Sequence, residues 1–132
     1  MRYLLYSNIC IYFFRGKYNL IDKLNEVGLE NCCISEITLA ELVFGAEKSD
    51  NPEKNHLIIE NFTRHLSIIP IFDAIPTYGK EKTRLQKVGK MISDFDLLIG
   101  CTSIANDLTL ITDNIKEFER INNIKIENWV IR

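Results

Sequence analysis

Arg2-Tyr3-Leu4-Leu5-Tyr6-Ser7-Asn8 is an apolar run of strand length that breaks at a polar pair, and the fold is decided by reading it as a short buried strand, residues 2–6. The same pattern recurs along the chain. Residues 32–34 read as a strand running into Ser35, residues 68–72 as a second core strand, residues 109–111 as a third ending in Thr112-Asp113-Asn114, and residues 124–127 as the last. Between these runs apolar residues recur at helical spacing. Residues 9–14 give a turn or two of helix up to Gly16, and residues 19–27 a helix that stops at Gly28. Ser35 caps a helix reaching Lys48, with Ile37, Ala40 and Phe44 along one side. Pro52 suits the first turn of the next helix, which carries Leu57, Ile58, Phe62 and Leu66. Helices over 73–87 and 94–106 and a short helical turn at 115–118 complete the series.

Short β runs alternating with helices predict an α/β fold, a short and mainly parallel sheet flanked by helices on both faces. No repeat, low-complexity tract or linker interrupts the pattern, so residues 1–132 are expected to form a single domain. Apolar residues make up 46% of the chain, enough for one core without a disulfide or structural metal. A formal net charge of -2 and a pI near 5.7 exclude a generally basic coat while allowing a local basic patch. Cys10, Cys32, Cys33 and Cys101 form no C-x-x-C pair and each sits in an apolar stretch, so they read as small buried thiols in a reducing cytoplasm. The apolar runs fall far short of the ~20 residues of a membrane helix. The first of them is broken by Ser7 and Asn8 with no small-residue cleavage site after it, so no signal peptide is expected.

In parallel sheets ligands gather beyond the carboxyl ends of the strands, near a topological switch point. Tyr6, Asp113 and Asn114 stand at strand ends, and Glu41 and Asp96 begin helices or lie in their first turns. Glu41 shares a helix face with Ile37 and Phe44; the structural alternative is a capping box with Thr38. A carboxylate on a core-facing stripe costs several kcal/mol unless it is paired or metal-bound, which favours function. Asp94 suits an N-cap role, whereas Asp96 precedes a wholly apolar helix and is expected to be half-buried at the sheet's edge. Asp113-Asn114 alone reads as an Asx turn, and Glu117 alone as a surface residue. Together these side chains make a cleft of acids and amides, with Tyr6 where a carboxylate is expected.

The residues resemble the PIN-domain ribonucleases and, within them, the VapC toxins of bacterial toxin–antitoxin pairs. The resemblance spans essentially the whole chain. It rests on Leu4-Leu5-Tyr6-Ser7-Asn8-Ile9-Cys10, Thr38-Leu39-Ala40-Glu41-Leu42-Val43-Phe44-Gly45-Ala46-Glu47-Lys48-Ser49, Asp94-Phe95-Asp96-Leu97-Leu98-Ile99-Gly100, Leu110-Ile111-Thr112-Asp113-Asn114-Ile115-Lys116-Glu117-Phe118 and the closing Glu127-Asn128-Trp129. It implies a PIN-like fold and a metal-dependent endoribonuclease in which clustered acids hold Mg²⁺ or Mn²⁺, hard cations that prefer oxygen. Carried over, the catalytic positions are Tyr6, Glu41, Asp96, Asn114 and Glu117, with Glu41, Asp96 and Asp113 as candidate metal ligands. The fourth acidic position stays open between Asp113, Asn114 and Glu117, with Glu117 slightly favoured. Tyr6 departs from the family pattern, which has Asp there. A phenol with a pKa of about 10 stays protonated at neutral pH and is a poor ligand, so the resemblance implies a toxin that is catalytically impaired.

Lys80, Arg84 and Lys87 form a basic stripe at helical spacing, with Lys90 beyond; they, Arg15 and Lys17 are candidates for gripping RNA, although a solvated face salt-bridged by Glu81 is the plain alternative. The resemblance implies structured RNA (tRNA or rRNA) as substrate and inhibition of translation. The implied partner is a small VapB-like antitoxin whose peptide lies over the acids, in a homodimer or a toxin–antitoxin hetero-oligomer. Large apolar residues such as Ile11, Tyr12, Phe14, Leu57 and Ile58 can line its groove. The rival from another class is a PIN-like module that binds RNA or antitoxin without cutting.

Overall fold

The sheet grows outward from its first strand in a computed structural model that describes all residues from Met1 to Arg132. Strands β1 (Tyr3–Leu5), β2 (Cys32–Ser35), β3 (Ser67–Ile69), β4 (Thr109–Ile111) and β5 (Ile126–Glu127) pair in the order β3-β2-β1-β4-β5. Every pairing is parallel. From β1 the chain first builds one side of the sheet and then, at β4, the other. The switch point is therefore the crevice beyond the ends of β1 and β4.

Alternation along the strands divides the interior into two cores. Leu5, Cys32, Ile34 and Ile111 face one core, which is closed by helices α1 (Ser7–Phe14), α2 (Leu20–Val27), α3 (Glu36–Glu47) and α4 (Pro52–Thr63) and by Trp129. Leu4, Cys33 and Leu110 face the other, closed by α5 (Ile75–Lys87), α6 (Asp94–Ala105) and Phe118 of α7 (Ile115–Phe118). The four cysteines are free and buried, as expected. Burial pushes the Cys32 thiol up to about 11 and those of Cys33 and Cys101 up to about 12, so they stay protonated and unreactive. No helix is long and apolar enough to cross a membrane.

Several expected boundaries move, each for a local reason. The strand expected at 68–72 stops at Ile69, because Pro70 has no N–H to continue the ladder. A 3-10 turn, Phe72–Ala74, then precedes α5, which starts at Ile75 rather than 73. Ser7 and Asn8 are the first residues of α1 rather than a turn before it. Asp94 is the first helical residue of α6, and the N-cap is Ser93, whose hydroxyl accepts from Asp96 N. The buried stripe of α3 is Thr38, Leu42 and Ala46, while Phe44 is 65% exposed. Glu41 therefore does not lie on a core-facing stripe.

Glu81 of α5 is buried and fastens that helix to the segment after α7. Its carboxylate accepts from Arg84 Nε and Nη2, each at 2.9 Å, and from Asn122 N at 2.7 Å. The Arg84 hydrogen bonds hold the Glu81 carboxyl below its ordinary range. A depressed carboxyl stabilises the fold above its unfolded pKa of about 4.3, and that contribution disappears as pH falls through the lower folded value. Glu81→Gln is expected to unfold at lower denaturant than the unaltered chain at neutral pH. The gap should close as the pH is taken down through that window in urea titrations.

Candidate active site

Tyr6 follows β1 and continues its ladder, its N–H donating to Ile111 O at 2.9 Å. Side chains alternate, so position 6 shares a face with Leu4 and looks towards α6 and α7. Its ring packs edge-on to Phe118, with centroids 5.0 Å apart and planes at 76°. Its hydroxyl donates to Asp96 Oδ1 at 2.7 Å. Gly100, one turn beyond Asp96 on α6, makes room for this arrangement: a Cβ there would stand 2.4 Å from Ile121 Cδ1 and 3.5 Å from Phe118 Cδ1.

The phenol lies in a negative field. Burial first, then the hydrogen bond to Asp96 and the charges of Asp96, Glu41 and Glu117, raise the Tyr6 pKa well above its ordinary value. At neutral pH the group is a neutral donor. Glu41 is oriented by Ser7, whose Oγ donates to Glu41 Oε1 at 2.6 Å and lies 3.4 Å from Thr38 Oγ1. The cap of α3 is Ser35, accepting from Ile37 N at 3.0 Å, so no capping box engages Glu41. Asn114 is held by its N–H to Thr112 Oγ1 at 3.0 Å, and its Nδ2 donates to Glu117 Oε2 at 3.2 Å. Asp96, Glu41 and Glu117 thus lie near enough for their charges to act on the Tyr6 phenol beyond the end of β1, and Asn114 joins them through Glu117.

Asp113 belongs elsewhere. It has the parity of Ile111, which puts it on the side of α1, where its carboxylate accepts from Asn8 Nδ2, from Tyr12 Oη at 3.4 Å and from Arg132 Nη2 at 2.7 Å. These contacts tie Asp113 to α1 and to Arg132 rather than to Asp96, Glu41 or Glu117. Ser7, Asn8, Tyr12 and Arg132 are partners that sequence reasoning did not assign. The polar pair Ser7-Asn8 directly after Tyr6 was a usable signal for two of them, whereas nothing local marked Tyr12 or Arg132.

The donor set does not fit a divalent cation held as the resemblance implies. No three acidic, histidine or cysteine side chains converge closely enough to hold a metal ion. One oxygen of Asp96 is taken by the phenol, one of Glu41 by Ser7 and one of Glu117 by Asn114. The group at the centre is a protonated phenol rather than an anionic oxygen, which a hard cation prefers.

Beside Glu41 a groove of about 470 Å³ opens between α1, α3 and α4, with Ile11, Phe14, Leu42 and Ile58 along it and Arg15, Lys48 and Lys54 at its edges. Lys17 is exposed in the turn after α1. Lys80 and Lys87 are exposed on α5, whereas Arg84 is bonded to Glu81, as the plain alternative has it, and to Arg120 O.

A parallel sheet with acids and amides around its switch point defines a class, and comparison with known proteins agrees. The sequence profile of the PIN domain matches residues 3–124, so the chain belongs to the PIN-domain family. Within that family it is of the VapC type. It is 37% identical to Ribonuclease VapC2 of Haemophilus influenzae, over 98% of this chain and 99% of that one. It is 32% identical to the tRNA(fMet)-specific endonuclease VapC of Shigella flexneri, over 98% of each. The crystal structure of DNA-bound VapBC from Salmonella typhimurium superposes with a TM-score of 0.91 at 33% identity, again over 98% of each chain.

Proposed function

We propose that this chain is a VapC-type toxin built to cleave structured RNA, tRNA or rRNA, with Mg²⁺ or Mn²⁺, and that Tyr6 has disarmed it. The bond from Tyr6 Oη to Asp96 Oδ1 carries this reading. It places a neutral donor where the family's chemistry needs an anionic oxygen, and it occupies Asp96 at the same time. The relative named as a tRNA(fMet)-specific endonuclease supports RNA as the substrate class. The resulting inhibition of translation follows from cutting tRNA or rRNA.

A VapB-like antitoxin is the proposed partner. The apolar groove that ends at Glu41 suits a peptide with apolar side chains and one basic group reaching the acids. The similar VapBC structure from Salmonella typhimurium supports the pairing. A homodimer or a hetero-oligomer with the antitoxin is the proposed assembly, and the cytoplasm, where its RNA substrates are, the proposed location. The same Tyr6–Asp96 bond also favours a second reading, a module that binds RNA or antitoxin without cutting.

Total tRNA and rRNA incubated with the unaltered chain and with Tyr6→Asp, with Mg²⁺ or Mn²⁺ and then with EDTA, separates these readings. Cleavage by Tyr6→Asp alone, stopped by EDTA, is the expected result. Cleavage by neither protein sinks the disarmed-toxin reading in favour of the module.

A further inference from the structure

Two concavities share Arg84 as a common wall. One, of about 690 Å³, lies between the end of α5, the loop that follows and α7, and is bordered by Arg84, Val88, Lys90, Lys116, Glu119 and Arg120. The other, of about 490 Å³, runs along α5 past Lys80, Thr83, Arg84 and Lys87. Glu119 is the single acid among their lining residues, in a protein whose formal net charge is -2. Positive charge is therefore concentrated here against the balance of the chain.

The cations differ in what they are free to do. Arg84 forks Glu81 and donates to Arg120 O at 2.6 Å, and Arg120 Nη1 donates to Met91 O at 3.0 Å. These two guanidiniums brace α5, the following loop and the segment after α7. Lys82, on the same helix, is paired with Asp94 at 2.9 Å. Lys80, Lys87, Lys90 and Lys116 are exposed and take part in no ion pair. Lys116 stands on α7, the short helix whose Phe118 packs against Tyr6 and whose Glu117 accepts from Asn114, so the basic path reaches the helix beside the cleft.

We infer that the two concavities form one phosphate track for RNA, running along α5 and across α7 to the cleft at Tyr6. Lys87, Lys90 and Lys116 are its contacts, and Arg84 and Arg120 are braces that shape it. The inference rests on the ribonuclease reading above and adds the path by which the strand arrives. Phosphate contacts position a nucleic acid without reading its sequence. Mobile ammonium groups, acting as point charges, suit that task.

The test is fluorescence anisotropy of end-labelled total tRNA in EDTA, with salt varied. The triple variant Lys87→Gln, Lys90→Gln, Lys116→Gln is expected to bind at least about tenfold more weakly. Its slope of log affinity against log salt should be shallower by about 2–3, since each lost contact removes about 0.7–0.9. Lys23→Gln, Arg64→Gln, Lys125→Gln makes the same change in net charge and should keep the slope. Arginine at positions 87, 90 and 116 should keep it as well. Equal losses in the two glutamine triples, or a loss confined to Arg15→Gln with Lys17→Gln, would overturn the track. If neither the unaltered chain nor Tyr6→Asp binds tRNA, the RNA reading falls and the track with it. Binding that ignores the first triple removes the track alone.

Discussion

Tyr6→Asp is expected to raise divalent-cation-dependent RNA cleavage at least about 100-fold above the unaltered chain, the scale on which metal sites respond even to loss of a supporting group. The substitution removes a protonated phenol, frees Asp96 Oδ1 and clears the volume that the ring fills against Phe118. It also places a new carboxylate where the charges of Asp96, Glu41 and Glu117 are already felt. Like charges that close repel, so without a cation the variant should melt below the unaltered chain. Mg²⁺ or Mn²⁺ should return the loss, by about 2.7 kcal/mol at a hundred times the dissociation constant. Asp96→Asn or Glu41→Gln in the same background should abolish cleavage. Asp113→Asn should spare it, because Asp113 is bound to Asn8 and Arg132 on the other face. Gel assays on total tRNA with and without EDTA, paired with thermal melts, check the set.

Phe118→Ala should cause the largest loss of stability, about 3–5 kcal/mol by urea titration. Its ring is fully buried and packs between α6 and Tyr6, in a space opened by Gly100. Truncation leaves a cavity that the short helix α7 and Tyr6 share, so the cleft should loosen together with the core. Tyr6→Phe makes the contrast. It keeps the ring against Phe118 and removes only the hydrogen bond to Asp96, a loss of about 1.5 kcal/mol for a bond to a charged group. It should not restore cleavage, because the ring still fills the cleft.

The parallel α/β architecture was legible because each core strand is an apolar run that breaks at a polar residue. Leu5 before Tyr6-Ser7-Asn8 and Ile111 before Thr112-Asp113-Asn114 mark the two strand ends that form the switch point. Asp96 was legible as the acid before an apolar helix, and it is half-buried as expected. The contacts of Asp113 with Asn8, Tyr12 and Arg132 were not legible, because they join segments far apart in the chain, whereas its nearness to Asn114 and Glu117 was plain in the sequence. Glu41 was assigned to the cleft through an apolar stripe that is in fact exposed at Phe44, and its orientation by Ser7 is a contact across 34 positions that no local pattern encodes. Arg84 looked like one lysine-like cation among several. Its commitment to Glu81 was suggested by the i,i+3 spacing, but its reach to Arg120 O depends on tertiary packing.

The claim that Tyr6 keeps a cation out of the cleft is tested most directly by titrating MnCl₂ calorimetrically into the unaltered chain and into Tyr6→Asp at the same pH and salt. Saturable heat from Tyr6→Asp and none from the unaltered chain is the expected result. Mn²⁺ binding of equal affinity in the two proteins would contradict it and remove Tyr6 as the cause of impairment.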